Sequence, residues 1–161
     1  MVLRNQVEWA LHCCTVLASL EPGQYLATKD LAEFHGIPKE YLSKALQALS
    51  TAKIVEATLG PTGGYRLAKT PDKITFLEIV EAVEGKTSTF ECAEIRKNNP
   101  CLGKFKIGPR PCNIARVMYR ADEAWRKELR NTTIAMIMEQ LVKELPAEVL
   151  EKNKAWMESR R

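Results

Sequence analysis

Between Phe90 and Cys112 the chain cannot run as a helix or a strand. Those 23 residues carry three prolines (Pro100, Pro109, Pro111), two glycines (Gly103, Gly108) and three cysteines (Cys92, Cys101, Cys112). Proline fixes φ and removes a backbone donor, so regular structure stops there. A loop this long is either disordered or holds something. Its thiols are separated by eight and ten residues on a proline-stiffened backbone. Sulfur ligands converging from irregular chain point to a held metal centre.

The residues before this loop read as a compact series of short elements. From 2 to 19, Leu3, Val7, Ala10, Leu11, Cys14, Leu17 and Ala18 recur at helical spacing. The other side carries Trp9, Cys13 and Val16 beside Glu8 and His12. A helix apolar on two sides packs against two things, its own domain and a partner. Glu8 and His12, four apart, are surface neighbours; they form a solvated pair or, with the cysteine loop nearby, a metal-ligand pair. Cys13 and Cys14 read as packing residues, and His35 as a surface residue.

Pro22-Gly23 ends that region. Thr28 suits the N-cap of a short helix over 29–34, Gly36 the turn, and Pro38 the start of a second helix to about Ser50. On the second helix Leu42, Ala45, Leu46 and Leu49 face inward, and Glu40, Ser43, Lys44 and Gln47 outward. Helix, glycine turn and helix make a helix-turn-helix, whose second helix enters a major groove. Ile54-Val55-Glu56-Ala57, a glycine-rich tip and Tyr65-Arg66-Leu67 make a hairpin. In that position it is a wing. The expected DNA contacts are Thr28, Lys39, Glu40, Tyr41, Ser43, Lys44 and Gln47, with Thr62, Gly63, Gly64 and Arg66 on the wing. There the glycines would let backbone amides approach phosphates.

Thr75 and Glu78 form a capping box opening a helix to about Glu84. After the loop, a long helix from Asn113 places Ile114, Val117, Met118, Ala121, Ala124, Trp125 and Leu129 on one stripe. Packing against the same helix of a second copy would bury it, giving a two-fold homodimer; the alternative is a long helix that caps its own domain. A shorter helix follows near 133–142, then Pro146 and a charged tail with no assigned role. The chain is therefore expected to be mainly α. Its parts are a winged helix-turn-helix domain over 1–84 (wing about 54–67), a cysteine loop over 85–113, dimerisation helices over 114–142 and a tail over 143–161.

Net charge is +4 over 161 residues, compatible with a double-stranded DNA partner. Five cysteines fit no small secreted disulfide framework, so a reducing, cytoplasmic setting is expected. Glu8 and His12 interrupt the N-terminal apolar run, so no signal peptide is expected. No stretch approaches 18 apolar residues, so no membrane association is expected. There is no nucleophile elbow or phosphate-cradling loop, which speaks against an enzyme.

Several pieces, in order, carry a family resemblance: Asp30-Leu31-Ala32-Glu33, Ile37-Pro38-Lys39-Glu40-Tyr41-Leu42, Ala52-Lys53-Ile54-Val55, Gly63-Gly64-Tyr65-Arg66-Leu67 and Ile74-Thr75-Phe76-Leu77-Glu78-Ile79-Val80. With the three loop cysteines they span about 1–142. The chain resembles the bacterial Rrf-type winged-helix regulators, the group of the IscR and NsrR kinds. The resemblance implies a dimeric DNA-binding regulator, a repressor on an inverted-repeat operator, with an iron–sulfur cluster on the loop. The family's cysteines usually lie closer together than here. The run Val7-Glu8-Trp9-Ala10-Leu11-His12 looks like the redox-sensing RsrR kind. There, two loop cysteines of one subunit and a glutamate and histidine of the other hold a [2Fe–2S] cluster.

Carried over by motif, the ligands are Cys92, in Phe-x-Cys-x-Glu-Ile-Arg, Cys112, in Cys-x-Ile-Ala-Arg, Glu8 and His12, with Cys101 a spare thiol. A rival set, Cys92, Cys101 and Cys112 with one acid or histidine, would suit a [4Fe–4S] cluster. A thiol–disulfide or zinc switch on the same cysteines is the further alternative. Trp9, between the two helix ligands, is the expected redox-coupling residue.

Overall fold

The computed structural model describes residues 2–86 and 88–160. Its first helix, α1 (Asn5–Ala18), is the centre of the fold. Val7, Ala10, Cys13, Cys14, Val16 and Leu17 are all buried on it by the chain itself, so the side carrying Cys13 and Val16, expected against a partner, packs within the protomer. Leu26, Leu31, Leu42, Leu46, Leu49, Ile54, Ile74, Ile79 and Ile134 pack around them in one cluster.

The helix-turn-helix is α2 (Thr28–His35) and α3 (Lys39–Thr51). Gly36 joins them at φ 63, a left-handed turn that glycine adopts without strain. Thr28 does not cap α2; the flanking residue is Ala27, with no side-chain cap. A distant contact fixes the entry instead. Leu26 and Tyr65 exchange backbone hydrogen bonds of 2.9 and 3.0 Å, delivering the chain to the start of α2. On α3, Leu42, Ala45, Leu46 and Leu49 are buried as the spacing requires.

The wing pairs β1 (Val55–Thr58) with β2 (Gly64–Leu67) antiparallel, from Val55 opposite Leu67 to Thr58 opposite Gly64. The first strand starts one residue later than the sequence suggests. The Ile54 N–H instead donates to the Leu49 carbonyl, at 2.9 Å, closing α3. The two wing glycines have a packing reason of their own. A Cβ on Gly63 would lie 2.8 Å from the Leu59 backbone carbon, and one on Gly64 would run into the Leu26 carbonyl.

The capping box forms as read: Glu78 N–H donates to Thr75 Oγ1 at 3.2 Å and Thr75 N–H to Glu78 Oε2 at 2.9 Å, opening α4 (Phe76–Glu84). The loop leads to α5 (Asn113–Asn131) and then α6 (Ile134–Glu144). The Ile134 N–H donates to the Ile74 carbonyl at 3.0 Å, tying the start of α6 to the segment that leads into α4. The segment read as an unassigned tail is a further helix, α7 (Ala147–Glu158), folded back on the DNA-binding unit. Met157 joins the core, and Gln24 Nε2 donates to its carbonyl at 2.8 Å. No helix among the described residues is long and apolar enough to cross a membrane.

A paired-cysteine loop beside a winged helix-turn-helix

Side-chain contacts at its start and across its middle bend the cysteine loop. Thr89 Oγ1 donates to Asp122 Oδ1 at 2.6 Å, and the Phe90 ring meets Tyr119 edge-on at 5.8 Å, so the loop's start is fastened to α5. Arg126 extends that anchor to α4, reaching Asp122 at 2.9 Å and Glu81 at 2.8 Å. Arg96 then bridges the loop: one nitrogen donates to Glu94 Oε2 at 2.7 Å and to the Arg110 carbonyl at 3.0 Å. This draws the segment after Cys92 against the segment before Cys112.

Cys92 and Cys112 both lie within electrostatic reach of the Arg96 guanidinium that bridges these segments. Cys112 caps α5, its Sγ accepting the Ala115 N–H at 3.3 Å. That N–H, then the Ile114 N–H and the nearby Arg96 guanidinium, hold the Cys112 thiol below its ordinary pKa. Helix N-termini and adjacent cations favour thiolate in this way, and thiolate is the form that binds metal. Cys101 is exposed, its N–H donating to Asn99 Oδ1 at 2.9 Å. Among the described residues no three His, Cys, Asp or Glu side chains gather as a metal site, so Cys101 stands apart from the pair.

Glu8 and His12 are exposed together on α1, and among the described residues neither gathers with the cysteine pair of its own chain into a metal-binding group. An apolar groove of about 440 Å³ runs beside them, walled by Leu3, Val7, Leu11, Phe76, Ile137 and Leu141. His35 is half-buried rather than a free surface residue. Its ring lies 5.7 Å from that of His12 and edge-on to Phe34, and burial lowers its pKa. Cys13 and Cys14 are inaccessible; burial pushes the Cys13 thiol up to about 12 and Cys14 in the same direction.

Trp9, next to Glu8, has its ring 6.4 Å from that of Tyr41 on α3. Lys39, Glu40, Tyr41, Lys44 and Gln47 are exposed on α3, while Ser43 is partly covered and donates to the Lys39 carbonyl at 2.9 Å. Thr28, Gly63 and Gly64 are half-buried, and Thr62 is exposed at the wing tip. Arg66 is already engaged: it pairs with Glu56 and lies over the Tyr25 ring at 4.7 Å. It braces the wing rather than projecting as a free cation.

Arg96, Asp122 and Arg126 set the loop's shape and were not singled out in the sequence. The available signal was Glu94-x-Arg96 inside the first cysteine motif, an acid and a base on the same short turn.

Two helices joined by a tight turn, followed by a hairpin wing, define a winged-helix DNA-binding protein. The family model for Rrf2, described as an iron-dependent transcriptional regulator, matches residues 3–140. An HTH-type transcriptional regulator of Aquifex aeolicus is 34% identical over 114 residues, 66% of this chain and 77% of that protein. The transcriptional regulator NsrR of Geobacillus kaustophilus is 30% identical over 139 residues, 86% and 90% of the two chains. The solved structure of CymR, the global cysteine regulator of B. subtilis, superposes with a TM-score of 0.69, covering 87% of this chain and 98% of that one. At 21% identity that likeness speaks to the fold alone. The chain belongs to the Rrf2 family of transcriptional regulators; it is a DNA-binding regulator and not an enzyme.

Proposed function

We propose that the protein is a homodimeric redox-sensing repressor whose [2Fe–2S] cluster is shared between protomers, Cys92 and Cys112 from one and Glu8 and His12 from its partner. The observation that carries this is the division of donors into two pairs. Two thiols lie on one loop within reach of the same Arg96 guanidinium, Cys112 at the head of α5, and a carboxylate and an imidazole stand four residues apart on an exposed face of α1. Each pair is half of a four-ligand set. The family description as iron-dependent agrees with it.

The residues suit that group. Arg96 offsets thiolate charge, and the Ala115 N–H already points at Cys112 Sγ. Hydrogen bonds to ligating sulfur are among the levers that set cluster potential. The second copy is argued from α5. Ile114 is 72% and Val117 52% exposed on its apolar stripe, and Cys112 sits at the same end. A partner covering that stripe would bring a second α1 toward Cys112, and the groove beside Glu8 and His12 would receive the partner's loop.

A bound [2Fe–2S] group would supply a one-electron redox change. The chain's own part is to transmit it. Trp9 adjoins Glu8 on one side and touches Tyr41 of α3 on the other, so movement of the ligand helix reaches the recognition helix directly. Two recognition helices in a dimer read half-sites of an inverted repeat at fixed spacing. A small change in their separation would alter operator affinity. DNA contacts are assigned to Thr28, to Lys39, Glu40, Tyr41, Ser43, Lys44 and Gln47 on α3, and to Thr62, Gly63 and Gly64 on the wing, which Arg66 braces through Glu56 and Tyr25.

Iron and acid-labile sulfide analysis with a visible spectrum of anaerobically purified protein tests the centre. His12→Ala should bleach or alter the absorption, and an unchanged spectrum refutes the ligand set. Gel-shift affinity in oxidised, reduced and cluster-free protein tests the switch; three equal affinities would rule it out. A thiol–disulfide switch is the second reading, favoured by the placement of Cys92 and Cys112 beside one guanidinium, that of Arg96. It requires DNA-binding changes in protein that carries no iron.

A further inference from the structure

The helix α7 lies past the end of the family match at residue 140, yet it is built into the DNA-binding unit. Trp156 meets Phe34 of α2 edge-on at 5.0 Å. Arg160 lies over Trp156 at 4.7 Å, donates to Glu33 Oε1 at 2.8 Å and comes within 3.9 Å of Asp30 Oδ1. Both acids belong to the first helix of the helix-turn-helix, and Asp30 is only 5% exposed. Beyond this, the last turn of α7 borders a polar cleft of about 280 Å³. Ser159 and Arg160 form one side, Lys29 of α2 a second, and Thr62 and Gly63 of the wing tip a third.

We propose that the end of α7 is part of the DNA-binding surface: Arg160 neutralises Asp30 and Glu33 on α2, and Ser159 flanks a track for the phosphate backbone between α2 and the wing tip. This rests on the assignment of α2, α3 and the wing as the DNA face. The reason is electrostatic. Two uncompensated carboxylates beside that track would repel phosphates, whose neutralisation supplies most sequence-independent affinity. The Arg160–Glu33 pair is solvent-accessible, so it adds little to fold stability. Its effect falls instead on a polyanion brought alongside. Arg160 is a positioning and charge-compensating residue here, since its two terminal nitrogens face the two acids.

Phosphate contacts carry no base information, so the probe is a short labelled random-sequence duplex, titrated by anisotropy across a salt series. Ser159→Lys, an exposed change, should tighten binding and steepen the salt slope by about one, and Ser159→Glu should do the reverse. Arg160→Ala should weaken binding roughly three- to tenfold at low salt. Glu33→Gln added to Arg160→Ala should restore most of that loss, which a purely architectural role for Arg160 would not allow. Lys44→Ala on α3 serves as the control for the DNA face. Unchanged affinity and slope in both Ser159 variants, without rescue by Glu33→Gln while Lys44→Ala still weakens binding, overturns the role of α7 and leaves the DNA face standing. Absence of binding by the unaltered protein at low salt overturns the DNA-face assignment itself.

Discussion

At the scale of single residues, chemistry separates four of the five cysteines into three kinds. Cys13 and Cys14 are sealed in the core, where burial disfavours thiolate. Cys14→Ala should therefore leave iron content unchanged and lower stability by on the order of 1 kcal/mol in chemical denaturation. Cys101 is exposed and apart. Cys112 is the activated thiol: the Ala115 N–H first, then the Ile114 N–H and Arg96, stabilise its deprotonated form. A stabilised thiolate forms at lower pH, so in cluster-free protein Cys112 should be alkylated by iodoacetamide at a lower pH than an ordinary thiol. Arg96→Ala removes one of the stabilising groups and should move that profile to higher pH. Mass-spectrometric mapping of the modified residue against pH reads both; no movement would show that Arg96 does not act on the thiol.

At the scale of elements, the features legible in the sequence were those made by near neighbours. The Thr75–Glu78 capping box, the Gly36 turn and the inward stripe of α3 are local signals, and each formed. Thr75→Ala should cost about 1 kcal/mol of stability, read by denaturant titration. Thr28 failed as a cap because the entry to α2 is fixed by Tyr65, a contact no local pattern encodes. The helix α7 was hidden for the same reason: its partners Gln24, Glu33 and Phe34 lie more than a hundred residues earlier. The contact between Trp9 and Tyr41 belongs to this scale too. Trp9→Ala should keep the cluster's visible spectrum while making operator affinity nearly independent of redox state. A retained redox response would place the coupling elsewhere.

At the scale of the whole molecule, the single chain leaves two surfaces unanswered: the apolar stripe of α5 and the groove beside Glu8 and His12. One two-fold arrangement would satisfy both, and Val117→Glu in the stripe should shift the protein toward monomer in sedimentation. The candidate site was legible as residue types and spacings, but its convergence was not. The segments that carry Cys92 and Cys112 are drawn together by Arg96, which spans from Glu94 to the Arg110 carbonyl. Sharing of the cluster between protomers is tested most directly with mixed dimers. Co-expressed chains, one carrying Cys92→Ser and the other His12→Ala, would each fail alone but together rebuild one intact site of the two in a two-fold dimer. Iron and sulfide recovered at up to about half the wild-type level in the purified heterodimer, with the visible spectrum restored, is the expected result; a heterodimer as empty as either parent would contradict cluster sharing.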